Sequence, residues 1–398
     1  MKRDRKKFEG NVMIAISALK HIMTIFLGPF LTAYFIKTSR EGMTDLSIYY
    51  ITSFALLAIG AFLVANIVKR KFRIGMFRIG VILDFLYILT IIILNKNIVD
   101  HLLFVSILYG ISMSVYWFPH DLFIVNKVDS SYRTEYTVKN KIVITLVSVL
   151  CPLLLGSIIT VTNYILTAVI VLFVALAQIV LSFFLSPDEE ANLPKFNLVK
   201  TWKKLKGSGQ IRKILAAEFL IGMNINDGAL NVLMTILVFN SFKTDMNLGI
   251  INSAIAILSA LFVFLYGKFF KDKNDKKAIV FSSIIPVLSV ILVLALKCDA
   301  SIVIYSACFT IFTTILAVAR EIRIFNAANS KIVGKDNQVE FFAIRECMLN
   351  CGRIFGYSLL LLAGICGNET VLNVVMIVLT LSIFTMGMLI KKIEKFES

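Results

Sequence analysis

The sequence is poor in the side chains and motifs on which enzymes rely. Charged residues make up 17% of its 398 residues, and only three histidines occur. It contains no Walker loop, no GxSxG elbow, no HExxH pair and no dinucleotide-binding fingerprint. We therefore expect this chain to be neither an enzyme nor an ATP-driven pump.

Cysteine is used in a way that predicts no metal site. The six cysteines contain no CxxC pair. Cys347 and Cys351 share a helix face, but a metal site would also need histidine or carboxylate ligands at matching spacing. We interpret the cysteines as small apolar packing residues, and we expect no metal and no cofactor.

Apolar residues are in excess instead. They make up 58% of the chain, the mean hydropathy is +0.84, and apolar runs long enough to cross a bilayer recur throughout. The first run is too long for a secretory signal peptide and is expected to stay in the membrane. These features predict an all-α membrane protein with twelve transmembrane helices near 11–36, 46–68, 76–94, 98–124, 140–162, 164–185, 214–239, 247–267, 277–296, 301–320, 339–366 and 371–390.

A polar stretch divides these spans into two sets of six. It contains two prolines and two glycines, Pro187, Pro194, Gly207 and Gly209, which is typical of a tether. We predict three parts in chain order: an N-terminal six-helix bundle over 1–185, a cytoplasmic linker over 186–213 and a C-terminal six-helix bundle over 214–398.

The basic residues predict how the chain sits in the bilayer. The net charge is +16, and 33 of the 41 lysines and arginines fall in the termini, the linker and the loops of one side, against 5 in the other loops. By the positive-inside rule, both termini face the cytoplasm from a cytoplasmic (inner) membrane. The charge is thus a topology signal, and we expect a monomer with no nucleic-acid partner.

The two halves of the chain resemble each other. A basic hairpin after the second span, NIVKRKFRIG, recurs after the eighth as GKFFKDKNDKK. Gly28 of the first span has a counterpart at Gly228 of the seventh. Two six-helix repeats joined by a loop are the plan of transporters that work by alternating access.

This plan resembles the major facilitator superfamily along the whole chain. The first hairpin departs from that family's signature, because Lys69 or Arg70 occupies about the position where the signature has an aspartate. The fifth-span signature of the family's antiporters is reduced to Cys151-Pro152 and Gly156, so the resemblance does not favour drug-proton antiport. The runs TIFLGPFLTAYF and EFFAIRE are similar to a little-characterised bacterial subgroup, the YqgE-type transporters.

Ionisable and amide side chains within the seventh span are candidates for function, because a charge costs about 3 kcal/mol to place in a bilayer. Asn224, Asp227 and Asn231 are spaced to lie on one helix face. We expect Asp227 to bind a proton or cation and the two amides to bind substrate, with a polar seam between helices as the alternative. Gly228 permits close approach or local unwinding. Glu218 is expected to face another neighbour.

The eleventh span has a longer polar face, formed by Phe342, Glu346, Asn350, Arg353 and Tyr357. We expect Glu346 to be a second coupling carboxylate and Asn350 to line the substrate path. Arg353 can bind a substrate carboxylate or phosphate, or form a structural ion pair with Glu346 or Asp227. Arg345 points away from this face and is predicted to reach a different helix.

Three further spans contain polar candidates. In the fourth span we expect Tyr109 and Tyr116 either to line a cavity or to pack against neighbouring helices. His120 either relays protons or is a polar residue whose hydrogen bonds are satisfied within the protein. Lys20 in the first span can contact an anionic substrate or extend to the surface, and we expect the second. Asp84 in the third span is expected to pair with the basic hairpin.

Together these patterns predict a secondary active transporter for a small polar, zwitterionic or amphipathic solute, driven by a proton or ion gradient. The predicted coupling residues are Asp227, Glu346, Glu218 and His120. The predicted substrate-binding residues are Asn224, Asn231, Arg353, Asn350, Tyr109, Tyr116 and Lys20. A membrane-embedded lipid-modifying enzyme, a lipid flippase and a non-transporting sensor are the alternatives.

Overall fold

The computed structural model describes residues 2–39, 41–70, 73–127, 130–186, 195–225, 227–269 and 275–393, and no strand occurs in these ranges. The α-helices are α1 Lys2–Ile25, α2 Leu31–Thr38, α3 Gly42–Arg70, α4 Arg73–Leu94, α5 Leu102–Lys127, α6 Ser130–Val161, α7 Tyr164–Ser182, α8 Leu198–Leu205, α9 Gly209–Asn224, α10 Ala229–Phe242, α11 Asp245–Phe269, α12 Asp275–Leu296, α13 Asp299–Ala328, α14 Gln338–Cys366 and α15 Glu369–Lys391. A π-helical turn at Phe26–Phe30 joins α1 to α2, and 3-10 turns lie at Asn95–Ile98 and Lys335–Asn337.

Twelve of the described segments are long and apolar enough to cross a membrane, as the sequence predicts. The first span consists of α1 and α2, and the seventh consists of α9 and α10, while α8 belongs to the linker. The protein is therefore an all-helical, multi-pass membrane protein. The first and seventh spans, which the repeat pairs with each other, both depart from one continuous α-helix near their middle. The first has the π-helical turn Phe26–Phe30, and the seventh consists of α9, which ends at Asn224, and α10, which begins at Ala229.

The loops lie alternately at the two ends of the spans. We call the end where α1 begins, where α3 meets α4 and where α8 lies the basic end. The other end, where α2 meets α3 and α6 meets α7, is the short-loop end. Helices of each half pack mainly against helices of the same half, which gives two six-helix bundles.

The bundles meet along two seams, α3 against α14 and α6 against α11. The first seam is antiparallel and runs the length of both helices. At the short-loop end a Cβ placed on Gly364 would lie 2.8 Å from Thr44 Oγ1, and at the basic end Lys69 Nζ lies 2.5 Å from Glu340 Oε1. The predicted two-bundle architecture is thus confirmed.

Glycines make the second seam a contact between backbones. A Cβ added to Gly249 of α11 would lie 2.4 Å from the Pro152 carbonyl oxygen of α6. A Cβ added to Gly156 would lie 2.5 Å from the Asp245 carbonyl oxygen. Small residues of this kind let membrane helices approach closely. Gly156 and Pro152, read in the sequence as remnants of an antiporter signature, therefore have a packing role in this fold.

An ion pair joins the bundles at each end. Lys37 of α2 pairs with Asp245 of α11 at the short-loop end, where the lysine side chain is 42% exposed. Lys69 of α3 pairs with Glu340 of α14 at the basic end, where both side chains are at most 2% exposed. The basic-end pair is therefore the more completely sealed of the two.

Helices α9 and α14 also touch through their backbones, within the C-terminal bundle. A Cβ added to Gly352 would lie 1.8 Å from the Phe219 carbonyl oxygen, and one added to Gly222 would lie 1.9 Å from the Leu349 carbonyl oxygen. This contact sets the distance between α14, which carries Arg353, and α9, which ends three residues before Asp227.

We expect Gly352→Ala to lower the midpoint of thermal unfolding in detergent, because the added methyl group overlaps backbone that has no room to move. Overpacking of this kind costs about 1–3 kcal/mol. The matched control is Gly267→Ala, where an added Cβ meets no described atom within 4 Å and alanine favours the helix by up to about 1 kcal/mol. A Gly352→Ala midpoint equal to that of the wild type would contradict the backbone contact.

Candidate functional site

The seventh span is broken at its middle by a run of poor helix formers. The sequence Asn-Ile-Asn-Asp-Gly spans residues 224–228, and asparagine, aspartate and glycine all disfavour helix interiors. Asp227 has a φ of 67°, in the left-handed region. A Cβ added to Gly228 would lie 2.6 Å from the Asn224 backbone, so only glycine fits there. The local unwinding expected at Gly228 is therefore present.

This break contradicts the prediction that Asn224, Asp227 and Asn231 share one helix face. Asn224 ends α9, and its Nδ2 donates to Ser382 Oγ of α15 at 2.6 Å. Asn231 lies in α10 and is exposed. Residues at helical spacing share a face only if they belong to one continuous helix. Here α9 ends at Asn224 and α10 begins only at Ala229.

Asp227 presents a carboxylate at the boundary between the bundles. The side chain is half-buried, and within the described residues its carboxylate has no hydrogen bond and no ion pair. Its backbone carbonyl accepts a hydrogen bond of 2.9 Å from Tyr357 Oη of α14. The carboxylate is close enough to Tyr50, Tyr109 and Tyr357 to act on all three electrostatically.

Arg353 places a cation on the same side of α14 as Tyr357. The residue is 6% exposed, its Nη1 donates to Asn350 Oδ1 at 2.8 Å, and its Cζ lies 4.6 Å from the centre of the Phe54 ring of α3. The structure thus brings the Arg353 part of the eleventh-span face against the N-terminal bundle. No ion pair from Arg353 to Glu346 or Asp227 is found among the described residues.

A wall of aromatic rings completes this site on the side of the N-terminal bundle. Tyr50 stacks on Tyr357 with ring centres 4.6 Å apart, and it also stacks on Phe54 at 5.7 Å. The centre of the Tyr109 ring lies 5.7 Å from that of Tyr49 and 4.9 Å from that of Tyr87. Sequence reasoning found Tyr109 but missed Tyr50 and Phe54. Their spacing of four residues on one face of α3 was the available signal.

Lys20 and Asp84 form a buried ion pair inside the N-terminal bundle. Lys20 Nζ lies 2.6 Å from Asp84 Oδ2, and the side chains are 4% and 2% exposed. Ser112 also donates to Asp84. Two predictions are therefore wrong: the Lys20 amine does not extend to the surface, and Asp84 does not pair with the basic hairpin. Each of these charges is therefore paired inside the bundle, by an ion pair that joins α1 to α4.

Tyr116 and His120 lie beside this ion pair. Lys20 Nζ is 4.4 Å from the centre of the Tyr116 ring, and Gln178 Nε2 donates to Tyr116 Oη at 3.3 Å. His120 lies with one ring nitrogen 3.3 Å from Ser17 Oγ and the other 3.1 Å from Asp121 Oδ1. Tyr116, His120 and Lys20 thus belong to a polar network within the N-terminal bundle.

Glu218 and Glu346 belong to a second charge cluster, in the C-terminal bundle. Glu218 is fully buried, 3.2 Å from Arg320 Nη1 and 3.1 Å from Arg345 Nε. Arg345 Nη2 lies 3.1 Å from Glu346 Oε2. The predictions that Glu218 faces another neighbour and that Arg345 reaches a different helix agree with this geometry. Of the predicted site residues, the structure gathers Asp227, Arg353, Asn350 and Tyr109 into one place.

Two cavities lie away from this central site. One, of about 20 Å³, separates α5 from α14 toward the basic end, and Asp121, Phe342 and Arg345 are among its lining residues. The other, of about 470 Å³, opens at the short-loop end beside Tyr34 and Tyr164. Within the described part of the chain, no group of three histidine, cysteine, aspartate or glutamate side chains could hold a metal ion.

Two bundles that meet at a polar, aromatic-lined site on a broken helix are the architecture of a secondary transporter. The chain belongs to the Major Facilitator Superfamily, whose sequence profile matches residues 13–357.

One curated protein is similar to this chain in sequence, and one solved structure is similar to it in fold. The chain is similar to the uncharacterized protein YqgE of Bacillus subtilis (strain 168), with 22% identity over 349 residues, which cover 86% of this chain and 79% of YqgE. Its fold is similar to that in the crystal structure of a POT family transporter in complex with 5-aminolevulinic acid, with a TM-score of 0.71 and 11% identity over 95% of this chain and 94% of that one. The predicted family and subgroup are confirmed.

Proposed function

We propose that this protein moves a small polar or zwitterionic solute across a bacterial cytoplasmic membrane by alternating access, coupled to a proton gradient. The observation that carries the proposal is the Asp227 carboxylate. It is half-buried in the middle of a span and has no hydrogen bond or ion pair with the described residues. A carboxylate at that depth is costly unless a cation, a proton or water reaches it.

Arg353 and the tyrosines support a zwitterionic solute. The carboxylate of Asp227 suits an ammonium group or a proton, and the guanidinium of Arg353 suits a carboxylate. Tyr50 and Tyr357 form an aromatic wall beside these charged groups. Both charged groups belong to the C-terminal bundle and lie close to Phe54 and Tyr50 of the N-terminal bundle. Movement of one bundle against the other therefore changes what each group can contact.

We also propose that the basic end faces the cytoplasm and that the protein acts as a monomer. The 33 basic residues of the termini, linker and corresponding loops support this orientation. The predicted boundaries at 185/186 and 213/214 remain predictions.

The test compares Asp227→Asn with wild-type protein in vesicles that contain a pH-sensitive dye. A panel of amino acids and short peptides is first screened for thermal stabilisation of the wild type, and each stabilising compound is then added outside the vesicles. We expect solute-driven proton movement in the wild type and its loss in Asp227→Asn. Asparagine keeps the fold, because it tolerates a positive φ and because Tyr357 binds the backbone, not the carboxylate.

The matched control is Asn231→Ala, because Asn231 was a predicted substrate ligand that the structure leaves exposed. We expect this variant to retain both solute stabilisation and proton movement. Proton movement that is unchanged in Asp227→Asn would remove Asp227 from the coupling step. Loss of transport in Asn231→Ala would contradict the site described above.

A further inference from the structure

The linker helix α8 has one face against the protein. Thr201 and Leu205, four positions apart and so on one side of the helix, are buried. Thr201 Oγ1 donates to Asn337 Oδ1 at 3.1 Å, and Lys204 Nζ donates to the Val333 carbonyl at 3.2 Å. These contacts hold α8 on the segment 333–340, which leads into α14.

The opposite face of α8 combines exposed lysines with exposed apolar side chains. Val199 is 64% exposed and Trp202 is 42% exposed, and three positions separate them. Lys200, Lys203 and Lys206 are exposed, and among the described residues their amines form no ion pair and no hydrogen bond. This face is therefore available to a partner that offers negative charge and a partly apolar boundary.

The bilayer surface at the basic end is such a partner. Helix α8 lies between α7, which ends at this end, and α9, which begins there. Amphipathic helices that carry lysines on a polar face and tryptophan among their apolar residues bind at the headgroup region, and tryptophan is enriched at that boundary. Each lysine near an anionic leaflet contributes about 1 kcal/mol, which corresponds to about a fivefold gain in affinity.

We propose that α8 binds anionic phospholipid headgroups at the basic end through Lys200, Lys203 and Lys206, with Trp202 in the headgroup layer. The segment beneath α8 carries Glu340, whose Oε1 accepts hydrogen bonds both from the Asn197 amide of the linker and from Lys69 of the other bundle. Lipid bound to α8 therefore stabilises the segment 333–340, whose Glu340 joins the two bundles at the basic end. This proposal is independent of the role of Asp227.

Trp202 provides the measurement, because the chain has only two tryptophans. The full chain with Trp117→Phe is reconstituted in phosphatidylcholine vesicles that contain a minority of phosphatidylglycerol. Two preparations have the same lipid composition and differ in whether the bromine, a contact quencher, is on phosphatidylglycerol or on an equal amount of phosphatidylcholine. We expect stronger quenching of Trp202 when the bromine is on phosphatidylglycerol.

Two variants separate charge from mere proximity. Lys200→Gln/Lys203→Gln/Lys206→Gln should lose the difference between the two preparations, whereas the corresponding triple Arg variant should keep it. Lys204 is left unchanged because it binds Val333. Salt of about 1 M, where the Debye length is about 3 Å, should also remove the difference.

Three results would each overturn the proposal. Equal quenching in the two preparations would mean that Trp202 meets the bilayer without a headgroup preference. Absence of quenching in both would mean that α8 does not reach the bilayer. A difference that persists in the triple Gln variant would mean that these lysines are not its cause.

Discussion

Replacing Lys20 with methionine is expected to lower the free energy of unfolding by about 3–5 kcal/mol, the cost of removing one partner from a buried ion pair. The amine and the Asp84 carboxylate are 2.6 Å apart, and both side chains are almost fully sealed by α1, α4 and α5. Without the amine, Asp84 keeps the Ser112 hydroxyl as its hydrogen-bond partner. The measurement is thermal unfolding of the purified protein in detergent, and the midpoint should fall clearly below that of the wild type.

The double variant Lys20→Met/Asp84→Asn should recover much of this loss, because removing both charges leaves neither one buried alone. Lys297 and Glu369 provide a matched pair on the surface, 2.9 Å apart with both side chains about two-thirds exposed. Removing the Lys297 charge should cost at most about 1 kcal/mol. If the losses of the two single variants at Lys20 and Asp84 simply add in the double variant, the two side chains are not coupled.

Glu340→Gln is expected to open the basic end. Glu340 and Lys69 form a sealed ion pair that exists only while the two bundles are in contact there. Breaking a buried pair costs about 3–5 kcal/mol, and the bundles can avoid that cost by separating. A change of this size shifts the equilibrium toward the open arrangement by about 10²-fold or more. Glutamine keeps an acceptor for the Asn197 amide, so the linker contact is preserved.

The opening can be followed by the reactivity of a cysteine placed at Phe342 in a background without the native cysteines. Phe342 is 7% exposed and lines the small cavity between α5 and α14. Its labelling by a membrane-impermeant thiol reagent should accelerate in Glu340→Gln. Lys37→Met, which removes the ion pair at the short-loop end, is the control and should not accelerate it. An unchanged labelling rate in Glu340→Gln would show that the Lys69–Glu340 pair does not hold the basic end closed.

The central site was only partly predictable, and the reason differs from residue to residue. Asp227, Arg353 and Tyr109 could be found because an ionisable or polar side chain within an apolar span is conspicuous whatever surrounds it. Tyr50 was missed because a tyrosine near the end of an apolar run has many ordinary roles. Only its stacking on Tyr357 of the other bundle assigns it to the site.

Two of the errors, those for Lys20 and Asp84, concern the partners of charged side chains. Helical spacing tells which residues share a face of their own helix, but it does not tell which neighbour that face meets. Lys20 and Asp84 are 64 positions apart, and their pairing depends on how α1 and α4 are placed within the bundle. Asn231 was misplaced for a different reason: the break between α9 and α10 interrupts the helix face on which its prediction depended.

The sequence alone determined the number of spans, their order and the family, because a bilayer forces every spanning segment to be a helix and each helix needs its own apolar run. The tertiary structure alone decided which charges pair and which face the boundary between the bundles. Lys20 and Glu218 are neutralised inside their bundles, whereas Asp227 is not. That distinction is a matter of distances between helices remote in the chain, and such distances are fixed by packing, not by periodicity.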